Sequence, residues 1–400
     1  MKRALRYIKN SLKNVDIPLL LVTTAMIIFG LIMVFSSSSV TSVLSYKKTP
    51  YYFFEKQILV VIVGLFVSLI IVNFPTKNYG VLSKLGMILM IVLLISLKTY
   101  GTVTNSARSW FKILGFSIQP SEFAKTFIIL YLACTYSKIK KFKSVSDVFL
   151  PMIPCIIIFF LVALEPDLGT ASIIAIIKEN RSFIRRSIIA IICMFIFFSL
   201  PLSNNKNIKI LRIATVIAAI GGVFFLNFNS DILTSAQASR FNFKNPCSRY
   251  LEETGYQVCN GYIAIHNGGI FGVGLGASTQ KFLYLPAAHT DFIFPIIVEE
   301  LGLIGGTCVL IAYIIILFRI LVIARNATNL RNSIIAFGTF AYILSHIVIN
   351  LGGLLALIPL TGVPLPLLSY GGSFMLNIMI LIALTQRVNI ETKRKRETEY

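Results

Sequence analysis

The chain has 400 residues, of which 56% are hydrophobic and 13% charged, with a mean hydropathy of +0.81. Soluble domains carry about 25% charged residues, so a separate soluble domain is excluded and a polytopic membrane protein is indicated. The net charge of +21 does not mark a nucleic-acid binder, because the lysines and arginines cluster in short loops between apolar runs, where they set topology and meet anionic lipid.

Residues 1–17 hold Lys2, Arg3, Arg6, Lys9 and Lys13 and are expected to stay cytoplasmic. No cleavable signal peptide is expected, since this basic segment leads into a full-length span. The first span is expected at about 18–38, ending in Ser36 to Ser39, whose hydroxyls bond across helices or cap the exit. Tyr51, Tyr52, Phe53 and Phe54 form an interfacial aromatic belt before spans at about 58–74 and 85–98. Residues 99–119, with Arg108, Trp110 and Lys112, return to water. A fourth span starts near Pro120, a favourable first-turn residue. Lys138, Lys140, Lys141 and Lys143 mark a cytoplasmic turn, and a fifth span at about 148–164 ends at Glu165-Pro166-Asp167.

Residues 168–177 are apolar but too short to cross alone, and Lys178, Arg181, Arg185 and Arg186 follow them. Spans six and seven are placed at about 187–202 and 210–228, around a cytoplasmic turn with Lys206, Lys209 and Arg212. Residues 229–290 are the longest non-spanning stretch, a length usually associated with function or disorder. Span eight is expected at about 293–317 and span nine at about 333–350. A Gly/Pro-rich return loop, 351–372, precedes span ten at about 373–386 and a basic tail with Lys393, Arg394, Lys395 and Arg396. The expected fold is one all-α membrane domain, 1–400, of about ten helices, with cytoplasmic ends (1–17 and 387–400) and a large extracytoplasmic loop, 229–290, between helices seven and eight. Counting 168–177 as a further span would move Asp291 to the cytoplasm.

Six cysteines show no metal spacing. Cys134, Cys155, Cys193 and Cys308 read as small core residues; Cys247 and Cys259 share the large loop and can pair if it faces an oxidising compartment.

Four polar groups fall on one side of this ten-helix arrangement. Glu122 and Lys125, in Gln119-Pro120-Ser121-Glu122, are three apart on a helix and can pair, either as a structural ion pair or at a substrate. Glu165-Pro166-Asp167 brackets a proline with carboxylates; locally, a capped turn is the plainer account. The large loop contains Gly268, Gly269, Gly272, Gly274 and Gly276. Such glycines let backbone N–H groups approach phosphate, but their spacing fits no nucleotide fingerprint, and flexible turns are the alternative. Arg240, Lys244, Arg249 and Lys281 supply cations there. The loop ends at His289, Thr290 and Asp291. A carboxylate at this junction is either a helix cap or a partly desolvated general base. Glu299 and Glu300 lie about two turns further on, Glu299 near the face of Asp291. The fourth group, Pro359 to Gly372, cannot continue a helix. It is a re-entrant loop closing a cavity or an interfacial loop.

The motifs QPSEFAK (119–125), EPDLGTA (165–171), GYQ (255–257), AIHNGGIFGVGLGAS (264–278), QKFLYLPAAHTDFIF (280–294), EELGLIGG (299–306) and PLTGVPLPLLSYGGS (359–373) together resemble the SEDS family of FtsW and RodA peptidoglycan polymerases, in order and over nearly the whole chain. GYQ, LGAS and YLPAAHTDFIF are closer to FtsW members. The resemblance implies ten transmembrane helices, a large catalytic loop outside the cell, and polymerisation of lipid II, a disaccharide-pentapeptide on undecaprenyl diphosphate. It implies a class B penicillin-binding protein as transpeptidase partner, and residence in the bacterial plasma membrane. The family's essential aspartate falls on Asp291, its QPSE-x-x-K residues on Glu122 and Lys125, its PDLGT aspartate on Asp167, and its NGARRW-like arginine on Arg108, where this chain reads NSARSW. Two departures are present: KENRSFIRRS (178–187) interrupts the span after EPDLGTA, and Ala287 stands where an acid is common.

The resulting expectation is inverting glycosyl transfer with Asp291 as catalytic base on the 4-hydroxyl of the lipid II sugar. Arg108, Glu122, Lys125, Asp167, Lys281, His289, Thr290 and Glu299 are the candidates for substrate binding, with Arg108, Lys125 and Lys281 on the diphosphate. No cofactor is required by the sequence; a divalent cation, Mg or Mn, could bridge carboxylate and diphosphate, without a ligand spacing that demands it. A lipid II transporter and a non-catalytic scaffold for a transpeptidase are the rival functions.

Overall fold

The computed structural model describes residues 14–104, 107–113, 115–139, 147, 150–163, 245–282, 284–285, 288–358 and 360–399. By internal contacts the chain divides into two compact units. One comprises residues 1–74, 240–323 and 342–400; the other comprises 75–239 and 324–341.

The described helices are α1 (Ile17–Leu44), α2 (Tyr52–Asn73), α3 (Tyr79–Tyr100), α4 (Pro120–Tyr136), α5 (Ile153–Ala163), α6 (Glu253–Gly268), α7 (Ile293–Asn326), α8 (Leu330–Leu354) and α9 (Gly372–Glu399). Among the described residues six of them, α1, α2, α3, α7, α8 and α9, are long and apolar enough to cross a membrane. They coincide with expected spans one, two, three, eight, nine and ten. Span four is the 17-residue α4, begun by Pro120 as expected. Span five is a 3₁₀ turn, Leu150–Met152, running into α5. Spans six and seven, and the stretch 168–177, lie outside the described residues.

Three segments carry regular structure that the sequence reading did not specify. Residues 101–104, 107–113 and 115–118 lie in the stretch expected to return to water. They form an antiparallel meander, β1 (Thr102–Thr104), β2 (Ala107–Ile113) and β3 (Phe116–Ile118), with Phe111 opposite Ile118. Its β-branched and aromatic residues favour strand, and Gly115 (φ 81°) lies between β2 and β3. Within the 229–290 stretch lies a helix, α6, tied by the Cys247–Cys259 disulfide to a 3₁₀ turn, Pro246–Arg249. The basic tail is helical as far as Glu399. There Arg387 pairs with Glu391 one turn on, at 2.9 Å, and donates to the Val72 carbonyl of α2 at 3.0 Å. Cys134 and Cys155 are buried as expected, but Cys308 is exposed on α7.

In the second unit α3, α4 and α5 enclose a core that includes Met90, Leu97, Leu132, Tyr136 and Ile158. In the first unit α1 and α7 are held together at two levels. Near the start of α1, Asp16 caps the helix by accepting from Leu19 N–H at 3.0 Å, and its carboxylate also accepts from the guanidinium of Arg319, with Nε at 3.1 Å. Gln386 of α9 joins this cluster, its Oε1 accepting from Asp16 N–H at 2.8 Å. Towards the other end, Ser36 donates to Glu300 at 2.6 Å, and Lys281 pairs with the same carboxylate at 3.0 Å. The two levels are about 20 residues apart on each helix, ~30 Å at 1.5 Å per residue, the thickness of a hydrocarbon core. Asn389 of α9 donates to the Asn14 carbonyl at 2.9 Å, while the residues before α9 lie with the Asp291 turn, Tyr370 N–H donating to the His289 carbonyl at 2.8 Å. Residue 14 and the Asp291 turn therefore sit at opposite ends of spanning helices.

The Glu300–Lys281 pair is buried, at 0% and 4% side-chain exposure. Removing one partner strands the other charge, so Lys281→Met should destabilise the protein by about 3–5 kcal/mol. The double change Lys281→Met with Glu300→Met should recover most of that loss. Equilibrium unfolding of the detergent-solubilised variants measures both.

Candidate active site

The site is built at the start of α7, where the helix is broken. Gly302 has φ 71° and ψ −175° inside an otherwise helical run. A break there would leave helix carbonyls and N–H groups stranded, which apolar surroundings do not permit. The segment after α6 supplies the partners. Val273 N–H donates to the Glu299 carbonyl at 2.9 Å and Gly274 N–H to the Glu300 carbonyl at 3.0 Å. In return Leu303 N–H donates to Gly269 at 2.9 Å and Ile304 N–H to Ile270 at 3.3 Å. The approach is so close that only glycine fits at three points, one of them Gly268, where a Cβ would lie 2.0 Å from the Val298 carbonyl oxygen. A Cβ on Gly272 would lie 2.3 Å from the Glu300 carbonyl oxygen, and one on Gly302 would lie 2.1 Å from that of Ile270. The N–H groups of Val273 and Gly274 are thus used within the protein. Gly268 and Gly272 serve close packing against α7, while Gly269, Gly274 and Gly276, with positive φ and no close neighbour at Cβ, shape the turns between.

The two carboxylates beside the break fix the next segment. Glu299 is fully buried and accepts from the Ser278 hydroxyl, the Thr279 N–H (3.2 Å) and hydroxyl (2.9 Å), the Gln280 N–H (3.3 Å) and Asn267 Nδ2 (3.3 Å). Glu300, also fully buried, takes Lys281 and Ser36. Glu299, expected among the substrate-binding residues, thus binds the chain's own loop. Lys281, expected on the diphosphate, is 3% exposed and committed to Glu300.

Asp291 stands in the turn just before α7 and is half-buried. Its Oδ1 accepts from the Thr290 hydroxyl at 2.8 Å. Burial raises its carboxyl above the ordinary carboxylate range; the Thr290 hydroxyl and the residue's own backbone N–H oppose that rise. Facing it is the return loop 360–371. A Cβ on Gly362 (φ 69°) would lie 3.7 Å from Asp291 Oδ2, so the glycine brings bare backbone close to the carboxylate. Asn350 of α8 clamps the two segments: its Nδ2 donates to the carbonyl of Asp291 at 2.8 Å and to that of Val363 at 2.7 Å. The return loop is packed inside the protein, with Leu365 and Leu368 fully buried. Its backbone is satisfied by Gln57, which accepts from Gly371 N–H at 3.3 Å, by Ser369, which accepts from Leu365 N–H at 2.8 Å, and by the Tyr313 hydroxyl on Pro366.

His289 is 7% exposed and stacks near Phe53, with ring centroids 4.5 Å apart, and near Tyr370 at 5.6 Å. Burial lowers its pKa to about 4, so it is neutral at pH 7. It packs the turn and brings no positive charge to Asp291.

The remaining candidates belong to the second unit. Glu122 and Lys125 form the expected i,i+3 pair at 2.8 Å, in and just beyond the first turn of α4. Arg108 lies on β2. Asp167, Arg240, Lys244, Ala287 and the 178–187 interruption lie outside the described residues. Among the described residues no group of three or more His, Cys, Asp or Glu is arranged to hold a metal ion. Asn350 and Gln57 were missed in the sequence, and Gly362 was seen only as part of the Pro359–Gly372 loop. Asn350 and Gln57 are uncharged polar residues inside expected spans or beside them, a signal that points to helix contacts as readily as to a site.

The sequence profile of the family described as cell cycle protein, covering FtsW, RodA and SpoVE, matches residues 17–394. The chain belongs to this family. It is 36% identical, over 98% of its length and 95% of the relative's, to the probable peptidoglycan glycosyltransferase FtsW of Bacillus subtilis (strain 168). It is 34% identical to stage V sporulation protein E of the same organism, covering 94% and 96%. The fold matches that in a structure described as the structural coordination of polymerization and crosslinking by a peptidoglycan synthase complex, with a TM-score of 0.67 at 21% identity, covering 94% and 98%. It also matches the rod shape determining protein RodA of Thermus thermophilus, with a TM-score of 0.61 at 21% identity, covering 94% and 96%. The all-α fold of about ten membrane helices expected from the sequence is the FtsW/RodA fold.

The contacts around Asp291 differ in weight. Asn350→Ala leaves two carbonyls without their donor and should cost about 1–3 kcal/mol, whereas His289→Phe keeps a neutral ring in the stack and should stay within about 1.5 kcal/mol of wild type. Unfolding midpoints of the two purified variants check the order.

Proposed function

We propose that the chain is a peptidoglycan glycosyltransferase that polymerises lipid II, with Asp291 as general base. The observation that carries this reading is a half-buried carboxylate with a raised pKa, facing the bare backbone of Gly362. Its neighbours Glu299 and Glu300 are engaged by the loop. Family membership and the name of the B. subtilis relative support the same chemistry.

Asp291 takes the proton from the acceptor hydroxyl of the lipid II sugar as that oxygen attacks the anomeric carbon of the growing strand. The new C–O bond forms as the old one breaks, the bonding pair leaves with the lipid diphosphate, and the configuration inverts. A diphosphate-binding role is proposed for Arg108 and Lys125 on the strength of the family motifs they occupy. The site faces outward. The basic residues of 1–17 and of the tail favour cytoplasmic ends, the Asp291 turn lies at the far end of α1 from residue 14, and the Cys247–Cys259 disulfide fits an oxidising compartment. A transpeptidase is the proposed partner, in keeping with the structure that couples polymerization to crosslinking.

Asp291→Asn should fold normally and lose at least ~10²-fold in polymerisation of labelled lipid II by the purified protein with its transpeptidase. Retained glycan ladders would remove Asp291 as the base, and lipid II scrambling in vesicles without polymer would favour a transporter. The pH profile gives a second check. A base with a raised pKa loses activity as pH falls through that raised value, so the acid limb of kcat/KM should lie above the ordinary carboxylate range. Thr290→Val removes a hydrogen bond that lowers this pKa, so the limb should move to higher pH.

A further inference from the structure

Ile270, Phe271, Val273 and Leu275, in the segment bonded to the broken helix, are 60%, 81%, 44% and 58% exposed. In water this would be a costly run of bare apolar side chains. We propose that the 269–276 segment is immersed in the bilayer, with these four side chains among the acyl chains of the leaflet on the Asp291 side.

Three observations carry this. The first is depth. The backbone of the segment is bonded to residues 299–304, level with the Ser36–Glu300 contact and ~30 Å from the Asp16–Arg319 contact at the other face, so it sits at the hydrocarbon boundary. The second is continuity. Leu303 and Ile304, beside the segment, are 58% and 50% exposed and head an exposed apolar stripe that runs down α7 through Ile311, Ile314 and Phe318 at helical spacing. A face that passes without a break into the outer surface of a spanning helix has the same solvent as that surface. The third is polar satisfaction. Gly272 N–H donates to the Gly268 carbonyl at 2.7 Å; Val273 and Gly274 N–H and the Gly269 and Ile270 carbonyls are paired with α7. Irregular backbone enters a membrane only with its polar groups met in this way. By contrast Leu251, fully exposed, lies between Arg249 and Glu252, which pair at 2.9 Å, and serves as a reference for water.

Insertion would anchor the segment that leads through Lys281 to the Asp291 turn, placing that turn where the diphosphate of a lipid-linked substrate lies. This consequence rests on the proposed function; the insertion itself does not.

The test uses the full chain, whose single tryptophan is Trp110, in Trp110→Phe form, reconstituted into nanodiscs of phosphatidylglycerol. Phe271→Trp, Val273→Trp and Leu251→Trp are compared as separate reporters. The Phe271→Trp and Val273→Trp reporters should emit to the blue of Leu251→Trp, be strongly quenched by brominated acyl chains, and resist aqueous iodide several-fold better. Either reporter suffices if the other variant fails to fold. Equal quenching of all three by iodide, with no effect of bromine, would overturn the proposal. So would shielding that appears only when a transpeptidase is added, which would make the face a protein-docking surface. Neither result would bear on Asp291, which is read by polymerisation.

Discussion

The structure of the site depends on an exchange of backbone hydrogen bonds at Gly302. An unbroken helix would pair the Glu299 and Glu300 carbonyls with the N–H groups of Leu303 and Ile304. Here the carbonyls go to Val273 and Gly274, and the N–H groups to Gly269 and Ile270. All four of these backbone groups keep a partner, so the break is tolerable beside lipid, but a segment about 30 residues away in sequence is stitched to the helix. The exchange requires backbone to touch backbone, hence Gly272 and Gly302 with nothing at Cβ. The same break sets the carboxylates of Glu299 and Glu300 against the loop, where they gather the donors of residues 278–281. A stretch that would be loose on its own becomes a scaffold leading into the Asp291 turn.

The three acids at the start of α7 have different fates for the same electrostatic reason. A buried carboxylate must be met by donors or by a cation, or else its charged form is disfavoured. Glu299 collects backbone, hydroxyl and amide donors, and Glu300 a lysine and a serine. Asp291 is desolvated, and the Thr290 hydroxyl and its own N–H only partly compensate. Neutral His289 adds no charge to lower its pKa. Two acids are thereby held by the loop, and one is left with a raised proton affinity.

Much of this was legible in the sequence, and the failures have physical reasons. Spans were found because ~20 apolar residues in a row have one good explanation. The Glu122–Lys125 pair was found because i,i+3 spacing is local. The Lys281–Glu300 pair was not, since no local rule joins residues of a loop and a helix across a fold. The glycines of 268–276 were visible, but their purpose depends on a break at Gly302 that only the partner segment explains. The meander at 102–118 was hidden because its strands are short and flanked by hydrophobic helices. The tail looked like a topology signal; its helix is held by Arg387 and Asn389, which reach back to Val72 and Asn14.

Sidedness shows how contacts can replace counting. In sequence, the side on which Asp291 lies turned on whether 168–177 is a span, since each crossing reverses every later loop. The contacts of α1 do not pass through that stretch. One end of α1 holds Arg319 and Gln386, the other Glu300 and Lys281. Because α1 runs from Asp16 to Ser36 while α7 runs from Glu300 to Arg319, the two helices are antiparallel with their polar contacts in register at both ends. Sliding either helix by one turn would pull Asp16 from Arg319 and Ser36 from Glu300 at once, leaving the Asp16 carboxylate buried without its cation. The register therefore fixes the Asp291 turn across the membrane from residue 14, whatever the path between residues 164 and 244. The same spacing, set by the thickness of the hydrocarbon, holds the broken start of α7 at the boundary where lipid meets water.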